Sequence, residues 1–226
     1  MNGIPRLIAI GGGGFTHGSD PVMEDFILAQ VTVTKPRVGY IGTANHDDPV
    51  RVAAFHSRFD AVTRSHSHLP TGAKASDVQN WLAQLDIVYV GGGNTIHLRE
   101  HWHTSGIANV MISAARRGVL MAGVSAGAAV WFDQALSDSG DKGLAPISGI
   151  GMIRGSCCPH YSTEPQRQSV FMASVAQGEI ADGLAIDDGV AVLIHDAKQL
   201  TTFSARAGAT ARRVRRIGGT AVCETV

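Results

Sequence analysis

The chain has 226 residues, 44% of them hydrophobic, with 19 Lys plus Arg against 19 Asp plus Glu. That length suits one α/β domain spanning residues 1–226 and is short for two, while the even charge gives no field toward nucleic acid or an anionic membrane and favours a small partner. Three cysteines, two of them adjacent (Cys157, Cys158 and Cys223), make no disulfide framework and point to a reducing, cytoplasmic setting.

Within residues 1–10 the apolar run is confined to residues 7–10, too short for a signal core or a membrane span. Apolar runs that end in glycine then recur at residues 6–10, 37–41, 86–90 and 119–122. Each predicts a buried parallel strand that delivers a loop at its carboxyl end. Between them, residues 50–62 and 77–85 are helix-compatible, which gives a βαβ rhythm and a doubly wound, mostly parallel sheet. Ligands of such sheets bind where the strand-end loops converge. Residues 13–18 share the glycine spacing of a P-loop but continue with Ser19-Asp20, and no dinucleotide fingerprint is present, so no phosphate site or organic cofactor is expected. His66-Ser67-His68 reads as a polar turn. Further on, residues 147–156 and 183–195 read as strands with a helix near residues 166–177 between them. Residues 201–225 read as antiparallel edge strands. The arginines at 206, 212, 213, 215 and 216 lack interleaved aromatics and read as a solvated strand face.

The strongest chemical signal is Gly123-Val124-Ser125-Ala126-Gly127 after the fourth strand. A serine with a glycine two positions to either side, where strand gives way to helix, is the pattern of a nucleophile elbow. The turn strains the serine backbone and leaves Oγ exposed, and the Ala126 amide then faces an oxyanion on an attacked carbonyl. Gly91-Gly92-Gly93-Asn94-Thr95 ends another strand and opens a helix, so the amide of Gly92 or Gly93 is the candidate second donor, with Asn94 or Thr95 as helix cap. Ser125 needs a base and an acid that orients it. His160, stiffened by Pro159, is one candidate base; His195 is another and would give a Ser, Asp, His order. Asp187 and Asp188 are adjacent, so alternation along a strand lets only one face the site, and Asp188-Gly189 is also a turn signal. His97-Leu98-Arg99-Glu100-His101 matches a zinc pattern with two histidines on one helix face; a metallopeptidase built on His97, Glu100 and His101 is the alternative enzyme.

The ordered set Gly91-Gly92-Gly93-Asn94-Thr95, Gly123-Val124-Ser125-Ala126-Gly127, Cys158-Pro159-His160-Tyr161 and Asp187-Asp188-Gly189 resembles the peptidase E family of serine peptidases, relatives of aspartyl dipeptidase and cyanophycinase. The resemblance implies a three-layer, class I glutamine amidotransferase-like α/β fold with antiparallel C-terminal edge strands. It also implies a triad of Ser125, His160 and Asp188, with no metal or organic cofactor. The expected activity is hydrolysis of short peptides through an acyl-enzyme, by a protein that could pair as a homodimer; a ligand-binding member of the fold without catalysis is the non-enzymatic alternative. Two departures bear on substrate choice: the aspartate-specific members have glutamate where this chain has Asp188, and the segment after His160 is shorter. Within that segment, Arg167 is the expected partner of a substrate carboxylate, with Asn94 beside it.

Overall fold

A computed structural model describes residues 5–196 and 199–226. Residues 1–4, part of the N-terminal segment read above, lie outside the described residues. In chain order the elements are β1 (Leu7–Ile10), α1 (Val22–Leu28), β2 (Arg37–Ile41), α2 (Pro49–Phe59), β3 (Ser65–Leu69), α3 (Ala75–Leu82), β4 (Ile87–Val90), α4 (Thr95–Thr104), α5 (Ile107–Arg116), β5 (Leu120–Val124) and the single turn α6 (Ala126–Ala129). There follow β6 (Phe132–Gly140), β7 (Gly143–Ser148), β8 (Ile153–Cys158), α7 (Arg167–Gln177), β9 (Gly183–Ile186), β10 (Val190–Ile194), β11 (Leu200–Ser204), β12 (Ala211–Ile217) and β13 (Thr220–Thr225).

The expected doubly wound sheet is present, with strand order β11-β10-β1-β5-β4-β2-β3. Its strands from β1 to β3 in that order are parallel, and β10 and β11 add an antiparallel edge. The apolar runs alternate between its two faces. Ile8, Ile10, Ile87 and Tyr89 join α1 and α2 residues such as Met23 and Phe55 in one core. Leu7, Ala9, Val88 and Val90 face the opposite way into a second core, with Leu82, Leu98 and Met111 of α3, α4 and α5.

That second core also contains Phe132, Cys157, Leu184 and Ala211, which belong to a separate six-stranded sheet of order β13-β12-β9-β8-β6-β7. This second sheet corrects two readings of the sequence. Residues 147–156 do not form one strand, because Gly151 at φ 69° and the Gly149 N–H bonded to Asp133 O (2.9 Å) break the chain between β7 and β8. Asp188-Gly189 makes a turn, with Val190 N–H donating to Asp187 O at 3.2 Å, but no hairpin: β9 pairs with β8 and β12, whereas β10 pairs with β1 and β11. The antiparallel edge strands expected over residues 201–225 are present, β11 ending the main sheet and β12 and β13 ending the second one. His66-Ser67-His68 likewise lies in a strand, β3, in parallel register with β2 through Tyr40 and His68. None of the described helices is long and apolar enough to cross a membrane.

Candidate active site

Ser125 follows β5 at φ 55° and ψ −117° and begins α6, so its strained backbone sits at the carboxyl edge of the main sheet. The flanking glycines are sterically required: a Cβ on Gly123 would fall 2.0 Å from Gly127 O. His160 and Asp188 come from the other sheet, just beyond the carboxyl ends of the parallel neighbours β8 and β9. Their sheet meets the main one at a seam where Gly189 N–H donates to Gly12 O at 2.8 Å. Across it, His160 Nε2 lies 2.8 Å from Ser125 Oγ, and His160 Nδ1 lies 2.6 Å from Asp188 Oδ1. Burial alone would raise the Asp188 carboxyl, but the hydrogen bond and charge of His160, with Thr163 and Arg206, together hold the group below the ordinary carboxylate range. The imidazole is almost enclosed, at 8% exposure, which strengthens both contacts.

The adjacent carboxylate has a different task. Asp187 points away and accepts from Ser162 Oγ (2.6 Å), Thr210 N–H (3.0 Å) and both-oxygen contacts of Arg212 Nη1 (3.1 and 3.0 Å). His195 lies at the far end of the sheet from Ser125, because β10 runs antiparallel to β1 and pairs Ile194 with Leu7 but Ala191 with Ile10, the residue level with Val124. The rival order of triad residues is therefore not assembled.

The loop after β4 meets the serine from another side. Gly92 lies so close that a Cβ on it would fall 3.1 Å from Ser125 Cβ. Among the described residues, the N–H groups of Gly92, Gly93 and Ala126 have no acceptor, as oxyanion donors require. Asn94 caps α4, its side chain accepting from His97 N–H at 2.8 Å, and its amide reaches Ser139 O at 3.3 Å. Arg167 departs from its expected role. Its buried guanidinium is held by Glu164, by Leu136 O at 3.2 Å and by Asp138 at 3.4 Å. It borders the site through Glu164, whose carboxylate is 3.9 Å from His160 Nε2.

His97 and His101 share one face of α4, and the His46 ring packs 4.2 Å from that of His97. The described residues contain no group of three histidines, cysteines or carboxylates placed to hold a metal, so the zinc pattern lacks a third ligand there. Cys157 and Cys158 are buried and unbridged, and burial raises both thiols, that of Cys158 to about 12.

Residues 7–202 match the model of peptidase family S51. The chain belongs to that family. It is 34% identical over 211 residues to the uncharacterized peptidase YgaJ of Bacillus subtilis (strain 168), an alignment covering 92% of this chain and 91% of that protein. Its fold is similar to a putative peptidase E protein of Listeria monocytogenes EGD-e (TM-score 0.66, 19% identity, 88% of this chain and 98% of that one). It is also similar to a peptidase from an acI-B1 Actinobacterium (TM-score 0.69, 15% identity, 100% and 98%). This S51 peptidase is thus a serine-type hydrolase with the three-layer, class I glutamine amidotransferase-like fold that the ordered motifs implied.

Three groups at the site carry no sequence motif and emerge only from the fold. His17 comes from the loop after β1, with its ring centroid 6.2 Å from that of His160; burial lowers its pKa. Asn45 and Arg51, from the loop after β2 and from α2, both donate to Gly92 O at 2.9 Å. The glycine-ended apolar run at residues 37–41 was the signal that a loop would reach the site, but not which of its side chains would.

Proposed function

We propose that this S51 peptidase hydrolyses short peptides through an acyl-enzyme on Ser125. The observation that carries the reading is the continuous chain of hydrogen bonds from Ser125 Oγ to His160 (2.8 Å) and from His160 to Asp188 (2.6 Å). In the first half-reaction His160 accepts the serine proton as Oγ attacks the scissile carbonyl, then gives it to the departing amine. In the second, water attacks the ester carbonyl with His160 again as base, releasing the acid and restoring Ser125. Asp188 fixes the imidazole with Nδ1 protonated and supports the imidazolium. The Ala126 amide and one from Gly92 or Gly93 receive the oxyanion, each such donor contributing about 3 kcal/mol.

The test begins with a fluorophosphonate, which should label Ser125 alone, and with a panel of Asp-X, X-Asp and neutral dipeptides and tripeptides. Ser125→Ala should abolish both labelling and turnover while the thermal midpoint stays close to that of the parent. Turnover retained in Ser125→Ala removes the serine mechanism.

A further inference from the structure

The second oxyanion donor is left as Gly92 or Gly93 by the motif, and the surroundings of the loop decide between them. A trans peptide unit is planar, with its C=O and N–H pointing in opposite directions. In the unit joining Gly92 to Gly93, the carbonyl is held from behind by two donors, Asn45 Nδ2 and Arg51 Nη1, each at 2.9 Å. Its opposite end is the Gly93 N–H, on an exposed residue and without an acceptor among the described residues. Gly92 itself is buried against Ser125.

The loop that supplies Asn45 is built rigidly. Gly42 O accepts from Asn45 N–H (2.9 Å) and Asp47 N–H (3.0 Å), and Asn45 Oδ1 accepts from Asp48 N–H (3.0 Å). Thr71 N–H and His68 Nε2 hold the Asp47 carboxylate at 2.7 and 3.0 Å. His46 and Asp47 are both left-handed, at φ 57° and 55°. Two consecutive non-glycine residues in that region cost on the order of 1–3 kcal/mol each, strain that persists only where the surroundings over-determine it. The same loop presses directly on its neighbour: Ala44 O accepts from Asn94 N–H at 2.7 Å, and a Cβ on Gly93 (φ 147°) would fall 2.1 Å from that oxygen.

We infer that Asn45 and Arg51 are positioning residues that preset the Gly92–Gly93 peptide, making the Gly93 N–H the second oxyanion donor. The guanidinium adds charge to geometry. A cation on the carbonyl end polarises the peptide, so its N–H end stabilises a developing negative charge more strongly. Because the arrangement exists before substrate arrives, little reorganisation is needed as the tetrahedral intermediate forms.

This inference rests on the serine mechanism proposed above, and the measurements separate the two. Arg51→Met, Arg51→Lys and Asn45→Ala are compared with the parent for fluorophosphonate labelling rate, peptide aldehyde affinity, kcat and KM, with thermal midpoints to establish that each is folded. Removal of either donor should slow labelling and lower kcat by about 10-fold, with KM within about twofold, because the lost interaction belongs to the transition state. Aldehyde affinity should fall by the same factor as kcat/KM, the pH midpoint of labelling should stay that of the parent, and Arg51→Lys should regain part of the loss. Unchanged aldehyde affinity, or a KM rise with kcat intact, overturns the positioning role. Should Arg51→Met not fold, Asn45→Ala and Arg51→Lys decide on the same readouts. A parent enzyme whose Ser125 does not react overturns the serine mechanism and this inference with it.

Discussion

Asp187 and Asp188 are chemically identical neighbours with unlike surroundings. Alternation along the chain establishes that only one can face His160; the partners in space establish that it is Asp188, 2.6 Å from Nδ1, while Asp187 serves Ser162, Thr210 and Arg212. Asp188→Asn should cost kcat about 10³–10⁴-fold, since an amide stabilises the wrong imidazole tautomer, with little change in stability. Asp187→Asn should do the reverse. It leaves Arg212 without its carboxylate in a site where Asp187 is only 4% exposed, for a loss of about 1–3 kcal/mol in stability and less than about tenfold in kcat. Steady-state kinetics and urea midpoints on the two variants test both halves, and exchanged outcomes would mean that the carboxylate roles are reversed.

At the scale of elements, the loop between β1 and α1 illustrates how a buried charge is tied to a site wall. Glu24 of α1 is fully buried and accepts from Phe15 N–H at 3.1 Å, bracing the loop that carries His17 and Gly12. Gly12 has no room for a side chain, since a Cβ there would fall 2.1 Å from Asp188 Oδ1. Desolvation pushes the Glu24 carboxyl up to about 7 from 4.5, only partly offset by the Phe15 N–H and Arg58. An acid whose folded pKa is raised favours folding when protonated. Stability should therefore fall as pH rises from about 4.5 to about 7, by up to about 3 kcal/mol, and level off above. Glu24→Gln, which keeps the acceptor without the charge, should flatten that part of the profile in urea titrations at pH 5 and pH 8. Parallel profiles for the two proteins would show that Glu24 is not the titrating group. The elements themselves were unevenly legible. The strands β1, β2, β4 and β5 stand out because a central parallel strand is buried on both faces and reads as an apolar run. By contrast, β3 is an edge strand of serine and histidine whose identity depends on pairing with β2. The strands β6 to β9 join β12 and β13 in a sheet whose order, β13-β12-β9-β8-β6-β7, does not follow the chain. Their hydrogen-bond partners are set by tertiary packing, so Ser125, His160 and Asp188 were legible as motifs while the seam that brings them together was not.

For the whole molecule, that seam makes the contact between Ser125 and His160 depend on the union of two sheets. Ser125 and Gly93 belong to one and His160 and Asp188 to the other, and a single core containing Val88, Met121, Phe132 and Leu184 lies between them. Trp131, between α6 and β6, is fully buried in that core and packs edge-on against Trp102 of α4, with centroids 5.3 Å apart. Trp131→Ala should destabilise the protein by about 3–5 kcal/mol through lost transfer free energy and the cavity left behind. The mode of the loss is as informative as its size. If the shared core makes the two sheets one cooperative unit, activity and far-UV circular dichroism will disappear at the same urea concentration in the parent and in Trp131→Ala, with only the midpoint moved. Activity lost well before the circular dichroism signal would mean instead that the sheets separate first, parting His160 from Ser125 while each retains its own strands.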